Sequence, residues 1–221
     1  MTPEEVLQGL YDETLVGNAP RVLELTKIGL NLDMGPETLL YDALIPSLEE
    51  VGARFERGDF FVPEMLIAGR AMSGALDVLR PLLAETGAET VGTFLMGTVK
   101  GDVHDIGKNL VNIMLEGAGF HVIDLGVQVP PEKFLAAIEE HHPDIVGMSA
   151  FLTTTMPMFK ANINALEKAG MRGDVIVMVG GAPVTQEYAD AVGADAYAPD
   201  ASATVKKAKA LIKERREAVP V

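Results

Sequence analysis

From about residue 90 onward, short apolar runs alternate with helical stretches five times over. The runs fall at 91–99, 121–125, 144–149, 174–179 and 195–198. The helical stretches lie at about 107–118, 131–141, 156–169, 184–192 and 201–216. A helix after every strand carries the chain back across the sheet, so successive strands run parallel. Parallel strands are covered by helices on both faces, which is why they read as continuous apolar runs. This pattern predicts an α/β domain with a doubly wound, five-stranded parallel sheet. Ligands on such sheets bind outside the carboxyl ends of the strands.

Residues 1–88 contain no β-rich run. Four amphipathic segments stand at roughly 4–17, 20–33, 37–57 and 63–85, separated by Gly17-Asn18 and Pro20, by Asp33 with Gly35-Pro36, and by Gly58-Asp59 with Pro63. Pro36 and Pro63 sit near helix starts, where a missing N–H costs little. Leu39, Leu40, Ala43, Leu44, Leu48, Val51 and Phe55 recur at three- and four-residue steps, the spacing of one buried helix face. A four-helix bundle is expected, joined to the α/β part by a linker at Gly87-Ala88 with Glu89-Thr90. The domains are therefore expected at 1–88 and 89–221.

Composition narrows the function. The net charge of −14 argues against nucleic-acid binding, which needs clustered cations against phosphate. The one basic cluster, from Lys206-Lys207 to Arg215-Arg216, alternates with Ala, Leu and Ile as the solvated face of a last helix does. The absence of cysteine removes thiolate metal sites, iron–sulfur clusters, disulfides and thiol nucleophiles. No apolar run approaches the ~20 residues of a membrane span. Met1-Thr2-Pro3-Glu4-Glu5 lacks the basic and apolar regions of a signal peptide, so a cytoplasmic protein is expected.

Directly after the first strand come Gly101-Asp102-Val103-His104-Asp105-Ile106-Gly107. An imidazole in a strand-to-helix loop can reach past the sheet edge toward a ligand. An acid two residues earlier can hold its second ring nitrogen, and a glycine three residues later lets a bulky group approach the backbone. A solvated histidine and ordinary α/β punctuation would look the same.

Two further clusters share that edge. The third strand ends in Ser149-Ala150-Phe151-Leu152-Thr153-Thr154-Thr155. Its hydroxyls suit helix capping. They also suit a ligand site in which Ser149 and Thr153 bind a buried polar tail while Thr155 touches Asp102. The fourth strand runs into Gly180-Gly181, either a tight turn or a place where an elongated group passes the backbone. Neither a dinucleotide fingerprint nor a phosphate-binding Walker loop is present.

The stretch Thr98-Val99-Lys100-Gly101-Asp102-Val103-His104-Asp105-Ile106-Gly107-Lys108-Asn109 resembles the corrinoid-binding module of cobalamin-dependent methionine synthase. It also resembles the small corrinoid carriers of methylamine, methanol and methoxyarene methyltransferase systems. Asp124-Leu125-Gly126-Val127 with Val129-Pro130, the Ser149/Thr153/Thr155 set and Gly180-Gly181 follow in the family's order. In the bundle, Gly58-Asp59-Phe60-Phe61-Val62-Pro63-Glu64-Met65 looks like its cap segment. Two departures stand out. Thr155 takes a position where serine is common, and Tyr197-Ala198-Pro199-Asp200-Ala201 is unlike the methionine synthase pattern.

The resemblance implies a helical cap on a Rossmann-like, flavodoxin-like domain, with cobalamin or a related corrinoid as cofactor. It implies contacts from Asp102, Val103, His104, Asp105, Ile106 and Gly107, with His104 the lower cobalt ligand. Asp102 would hold the other ring nitrogen, and Asp102 and Thr155 would couple protonation of the released imidazole to methyl transfer. Ser149, Thr153, Gly180 and Gly181 would accommodate the nucleotide tail, and Phe60, Phe61, Met65 and Leu66 would cover the upper face. The implied activity is that of a methyl carrier, cycling between methylcobalamin and cob(I)alamin and not catalytic alone. Its partners would be a methyltransferase specific for an O- or N-methyl donor, an acceptor methyltransferase using tetrahydrofolate or a thiol, and a reductive activase. A cobalamin-binding sensor is the alternative, disfavoured by the missing basic helix-turn-helix. A carbon-skeleton mutase subunit would share the loop but not the helical bundle.

Overall fold

The computed structural model describes residues 1–86 and 90–218. Gly87, Ala88 and Glu89, most of the expected linker, lie outside the described residues. The chain forms two compact units: the helical N-terminal part together with Glu116–Gly119, and Thr90–Leu115 with Phe120 onward.

The first unit holds α1 (Pro3–Leu15), α2 (Ala19–Asn31), α3 (Pro36–Leu39), a π-helical turn (Leu40–Leu44), α4 (Ile45–Arg57) and α5 (Val62–Thr86). α1 starts on a capping box, in which the Thr2 side chain accepts from the Glu5 N–H and the Glu5 carboxylate accepts from the Thr2 N–H. Gly58, left-handed at φ 79°, ends α4. The third expected helix is continuous but irregular. Pro46 has no N–H for the Asp42 carbonyl, and its ring would crowd that oxygen in an α-helix. The turn before it widens, and the Ile45 N–H donates to the Leu40 carbonyl five residues back. Most of the expected apolar face is buried, with Leu39, Leu40, Ala43, Leu44, Leu48 and Val51 in the core and Phe55 half-buried.

In the second unit, β1 (Thr93–Thr98), β2 (His121–Asp124), β3 (Ile145–Ser149), β4 (Ile176–Gly180) and β5 (Ala196–Ala198) alternate with five helices. These are α6 (Ile106–Gly117), α7 (Pro131–His141), α8 (Pro157–Ala169), α9 (Gln186–Val192) and α10 (Ala201–Ala218). All strand pairs are parallel, in the order β2-β1-β3-β4-β5. This is the flavodoxin-like winding, in which the strand order reverses between β1 and β3. Leu95, Val146, Met148 and Val177 pack with Phe134 and Phe159 into one buried cluster. Among the described residues, no helix is long and apolar enough to cross a membrane.

Register decides what comes together. Thr98 is paired with Ser149, Ser149 with Gly180, and Gly180 with Ala198. Strands lie about 4.8 Å apart, so the loops after β1, β3 and β4 become neighbours at one edge although their strand ends, Thr98, Ser149 and Gly180, are far apart in sequence.

Candidate functional site

Asp102 is the centre of this edge. It has no exposed surface, although it sits in a loop between exposed neighbours. A buried carboxylate is costly unless its oxygens are well occupied, and here five donors occupy them. Oδ1 accepts from the His104 backbone N–H at 3.0 Å and faces the His104 ring Nδ1 at 2.7 Å. Oδ2 accepts from the backbone N–H groups of Phe151 at 2.7 Å and Leu152 at 3.2 Å. The Thr155 hydroxyl lies 2.8 Å from Oδ2 and 2.8 Å from the Leu152 carbonyl, sharing its one proton between two acceptors. Burial pushes the Asp102 carboxyl up, but the His104 and Phe151 N–H groups, the Thr155 hydroxyl and the His104 ring outweigh it. The group is held well below the usual carboxylate range.

An ionised Asp102 can only accept, so Nδ1 of His104 carries a proton toward it. In the neutral imidazole this leaves the Nε2 lone pair free. Among the described residues Nε2 has no hydrogen-bond partner, and the side chain is 44% exposed. The backbone on either side is also held. The buried Thr98 hydroxyl at the end of β1 donates to the His104 carbonyl at 3.1 Å. Four residues on, the buried Lys108 ammonium bonds Asp124 at 2.5 Å and Asn109 at 2.7 Å, tying the first turn of α6 to the end of β2.

The other expected residues divide. Val103 and Ile106 are exposed large apolar side chains beside the imidazole in sequence, and Phe151 and Leu152 are likewise exposed on the β3–α8 turn. The turn brings Phe151 onto the His104 ring, centroids 4.4 Å apart and planes at 27°. Asp105 is exposed, and its carbonyl accepts from the Asn109 N–H within the first turn of α6. A Cβ built on Gly107 meets nothing within 4 Å, so the fold itself does not demand glycine there. Ser149 is half-buried at the strand end and Thr153 is exposed. α8 begins without a side-chain capping bond, so these hydroxyls are not spent on its N-terminus. Gly180 is unstrained, whereas Gly181 has φ 127° and presses on Ala150.

In the helical unit the expected apolar segment separates by helical phase. Phe61 and Leu66 are exposed and Phe60 is half-buried against Arg54, whose guanidinium carbon stands 5.1 Å from its ring centroid. Met65 is fully buried, in line with Ala68, Met72, Ala75 and Leu79 along α5. It belongs to the core stripe, whereas Phe61 is exposed, so the two expected cap residues differ in burial.

Sequence reasoning missed Thr98, Phe151 and the three backbone donors to Asp102. A hydroxyl at the end of β1 and an aromatic in a hydroxyl-rich turn were visible. Backbone N–H groups carry no residue signature at all.

One imidazole supplies one metal ligand. Among the described residues, no group of three or more His, Asp or Glu side chains could hold an ion. A metal bound at His104 has to bring its remaining ligands with it. An exposed imidazole with a fixed proton, apolar neighbours and open space at Gly107 fits a metal carried in a flat, largely apolar macrocycle.

A family model described as a B12 binding domain matches residues 92–209, and a second with the same description matches residues 6–80. The chain is 40% identical over 213 residues to dimethylamine corrinoid protein 1 of Methanosarcina acetivorans, covering 96% of this chain and 100% of that one. It is 38% identical over 211 residues to trimethylamine corrinoid protein 1 of Methanosarcina mazei, covering 95% and 98%. Among solved structures it is similar to the methanol:cobalamin methyltransferase complex of Methanosarcina barkeri. That match has TM-score 0.84 and 29% identity, covering 99% of this chain and 86% of that one. The monomethylamine corrinoid protein of the same organism matches at TM-score 0.54 and 32% identity, over 95% and 100%. The chain therefore belongs to the B12-binding corrinoid proteins, and its cofactor is a cobalamin or related corrinoid.

Proposed function

We propose that this protein is the methyl-carrying subunit of a methyltransferase system, with His104 as the lower cobalt ligand. The observation that carries the assignment is the His104 imidazole: its Nδ1 is bound to a buried, ionised Asp102, its side chain is 44% exposed, and its Nε2 has no hydrogen-bond partner among the described residues. When bound, the corrinoid supplies the cobalt that takes up and releases the methyl group. The chain's own residues do the rest. Asp102 fixes the tautomer that leaves Nε2 a lone pair for a metal. Thr155 holds Asp102 in place and shares its charge. With or without a bound corrinoid, the same carboxylate would hold the Nδ1 proton and with it the orientation of the ring. Ser149 and Gly180 are assigned to the nucleotide tail by their place in the row that continues from Thr98 at the sheet edge, and Thr153 by its exposed place on the turn after β3. For residues 1–88 the proposed role is to shield the methyl group from water, with the exposed Phe61 and not Met65 as the available apolar side chain.

The proposed donor is a methylated amine. The 40% and 38% identities to dimethylamine and trimethylamine corrinoid proteins support this over methanol, where the similarity is 29%. The proposed partners are an amine-specific methyltransferase and an acceptor methyltransferase. Reconstituted, reduced protein mixed with a dimethylamine-specific methyltransferase should take up methyl groups from dimethylamine, read as the change from the reduced to the methylated visible spectrum. Loading from methanol by a methanol-specific enzyme, with none from any methylated amine, would overturn the donor assignment.

The Thr155–Asp102–His104 relay gives a separate prediction. Asp102→Asn and Thr155→Val should retain the corrinoid but lose about 10–100-fold in methyl transfer, the usual cost of removing a partner behind a metal ligand. Asp102→Asn should be the more severe, because an amide can present its N–H₂ to Nδ1 and impose the wrong tautomer. Transfer rates within twofold of wild type in both variants would reject the relay.

A further inference from the structure

The His104 ring is gripped on one edge by Asp102, but a single hydrogen bond leaves the ring free to rock about that contact. What lies against its face is Phe151, at 4.4 Å between centroids and 27° between planes. This is a near-parallel stack with a residue 47 positions along the chain. Phe151 is itself 52% exposed, so burial in the core does not account for a large aromatic there. Its backbone is placed independently of its ring, since the Phe151 N–H donates to Asp102 Oδ2 at 2.7 Å. One residue thus holds Asp102 with its main chain and covers the imidazole with its side chain.

We infer that Phe151 is a positioning residue: its ring sets the plane of the His104 imidazole and so the direction of the Nε2 lone pair. The inference rests on His104 being the lower ligand. Asp102 prevents Nδ1 from swinging outward, and Phe151 prevents the ring from tilting about that bond. Together they leave one orientation, and a ligand already in its bound orientation loses less freedom on coordination. Aromatic pairs of this geometry shift an equilibrium by about two- to tenfold beyond simple apolar contact. That is the expected change in the ratio of histidine-bound to histidine-free corrinoid when the stack is lost.

Phe151→Leu tests this, because leucine keeps an apolar side chain and the N–H to Asp102 but has no ring. In the apoprotein, the carbon-bound ring protons of His104 should lie upfield in wild type, shifted by the Phe151 ring, and should move downfield in Phe151→Leu. In the corrinoid-loaded protein, the ratio of histidine-bound to histidine-free corrinoid, read from the visible and cobalt(II) EPR spectra, should fall about two- to tenfold. Phe151→Tyr, which restores a ring face, should recover both signals, whereas a merely structural role would not distinguish leucine from tyrosine. Melting curves of both variants check folding, and Phe151→Met serves as a second ring-free variant if leucine destabilises the turn. Unchanged ring-proton shifts in the apoprotein would overturn the proposal. So would an unchanged bound-to-free ratio in Phe151→Leu when the wild-type coupling comes from histidine. Coupling from the corrinoid's own base in wild type would instead overturn the ligand assignment, and this proposal with it.

Discussion

In His104→Ala the protein-derived nitrogen coupling of the cobalt(II) EPR spectrum is expected to vanish entirely. The test uses protein labelled with nitrogen-15 and unlabelled cofactor. A histidine nitrogen then splits each cobalt line into two, whereas the cofactor's own nitrogen-14 base splits it into three. Wild type should show pairs, because the His104 side chain is partly exposed, its Nδ1 is fixed on Asp102, and its Nε2 has no partner among the described residues. His104→Ala should show triplets or no nitrogen splitting. Methyl transfer should fall by more than the ~10–100-fold expected for the residues behind it, since the ligand itself is lost. The apoprotein should melt near wild type, because the His104 side chain is 44% exposed and fills no core space. Triplets in labelled wild type would remove His104 from the cobalt and leave its pairing with Asp102 without a catalytic explanation.

Gly181→Ala is expected to cost the fold more than any change at the imidazole. A Cβ at Gly181 would lie 1.9 Å from the Ala150 carbonyl oxygen and 2.8 Å from its carbon, and φ there is 127°, a conformation L side chains rarely adopt. Both obstacles are backbone, so no side chain can rotate away. Strain of about 1–3 kcal/mol and overpacking of about 1–3 kcal/mol give a loss of roughly 2–6 kcal/mol. That is a large share of the ~5–15 kcal/mol that holds a typical domain together. Gly180→Ala should cost far less, since its Cβ would stand 3.2 Å from the Ala198 carbonyl oxygen. Urea unfolding of the two variants decides the matter, and a wild-type midpoint for Gly181→Ala would refute the close approach. The effect should also reach the imidazole. Ala150 leads directly into Phe151 and Leu152, whose N–H groups hold Asp102, so pushing that turn away loosens the carboxylate that orients His104.

Much of this molecule was legible in its residues. The five alternations of apolar run and helical stretch determine a parallel sheet, because a strand buried on both faces has to be apolar throughout and a helix has to carry the chain back. The position of His104, just past the end of β1, puts it at the carboxyl edge of the sheet, where ligands of such folds bind. The breaks in the helical half were equally plain, since glycine and proline act on the backbone locally. Pro46 is the instructive exception. Its periodicity read as an unbroken helix, and only the need to satisfy carbonyls around a missing N–H turned 40–44 into a π-helical turn.

Tertiary structure decided the remainder, for reasons that no local pattern encodes. Whether Met65 faces the core or the outside depends on the phase at which α5 meets its neighbours, and it faces the core. The paired glycines admitted two readings in sequence. The approach of Ala150 shows that Gly181 is required by the chain's own backbone, whatever else passes there. Two of Asp102's five donors are main-chain N–H groups about 50 residues away, chemically identical to every other N–H in the chain. Thr98 and Phe151 reach His104 only because parallel register sets the ends of β1 and β3 side by side. The residues by themselves determined the fold and which imidazole stands at its edge. Packing and register, which act between residues far apart in the chain, determined how that imidazole is held.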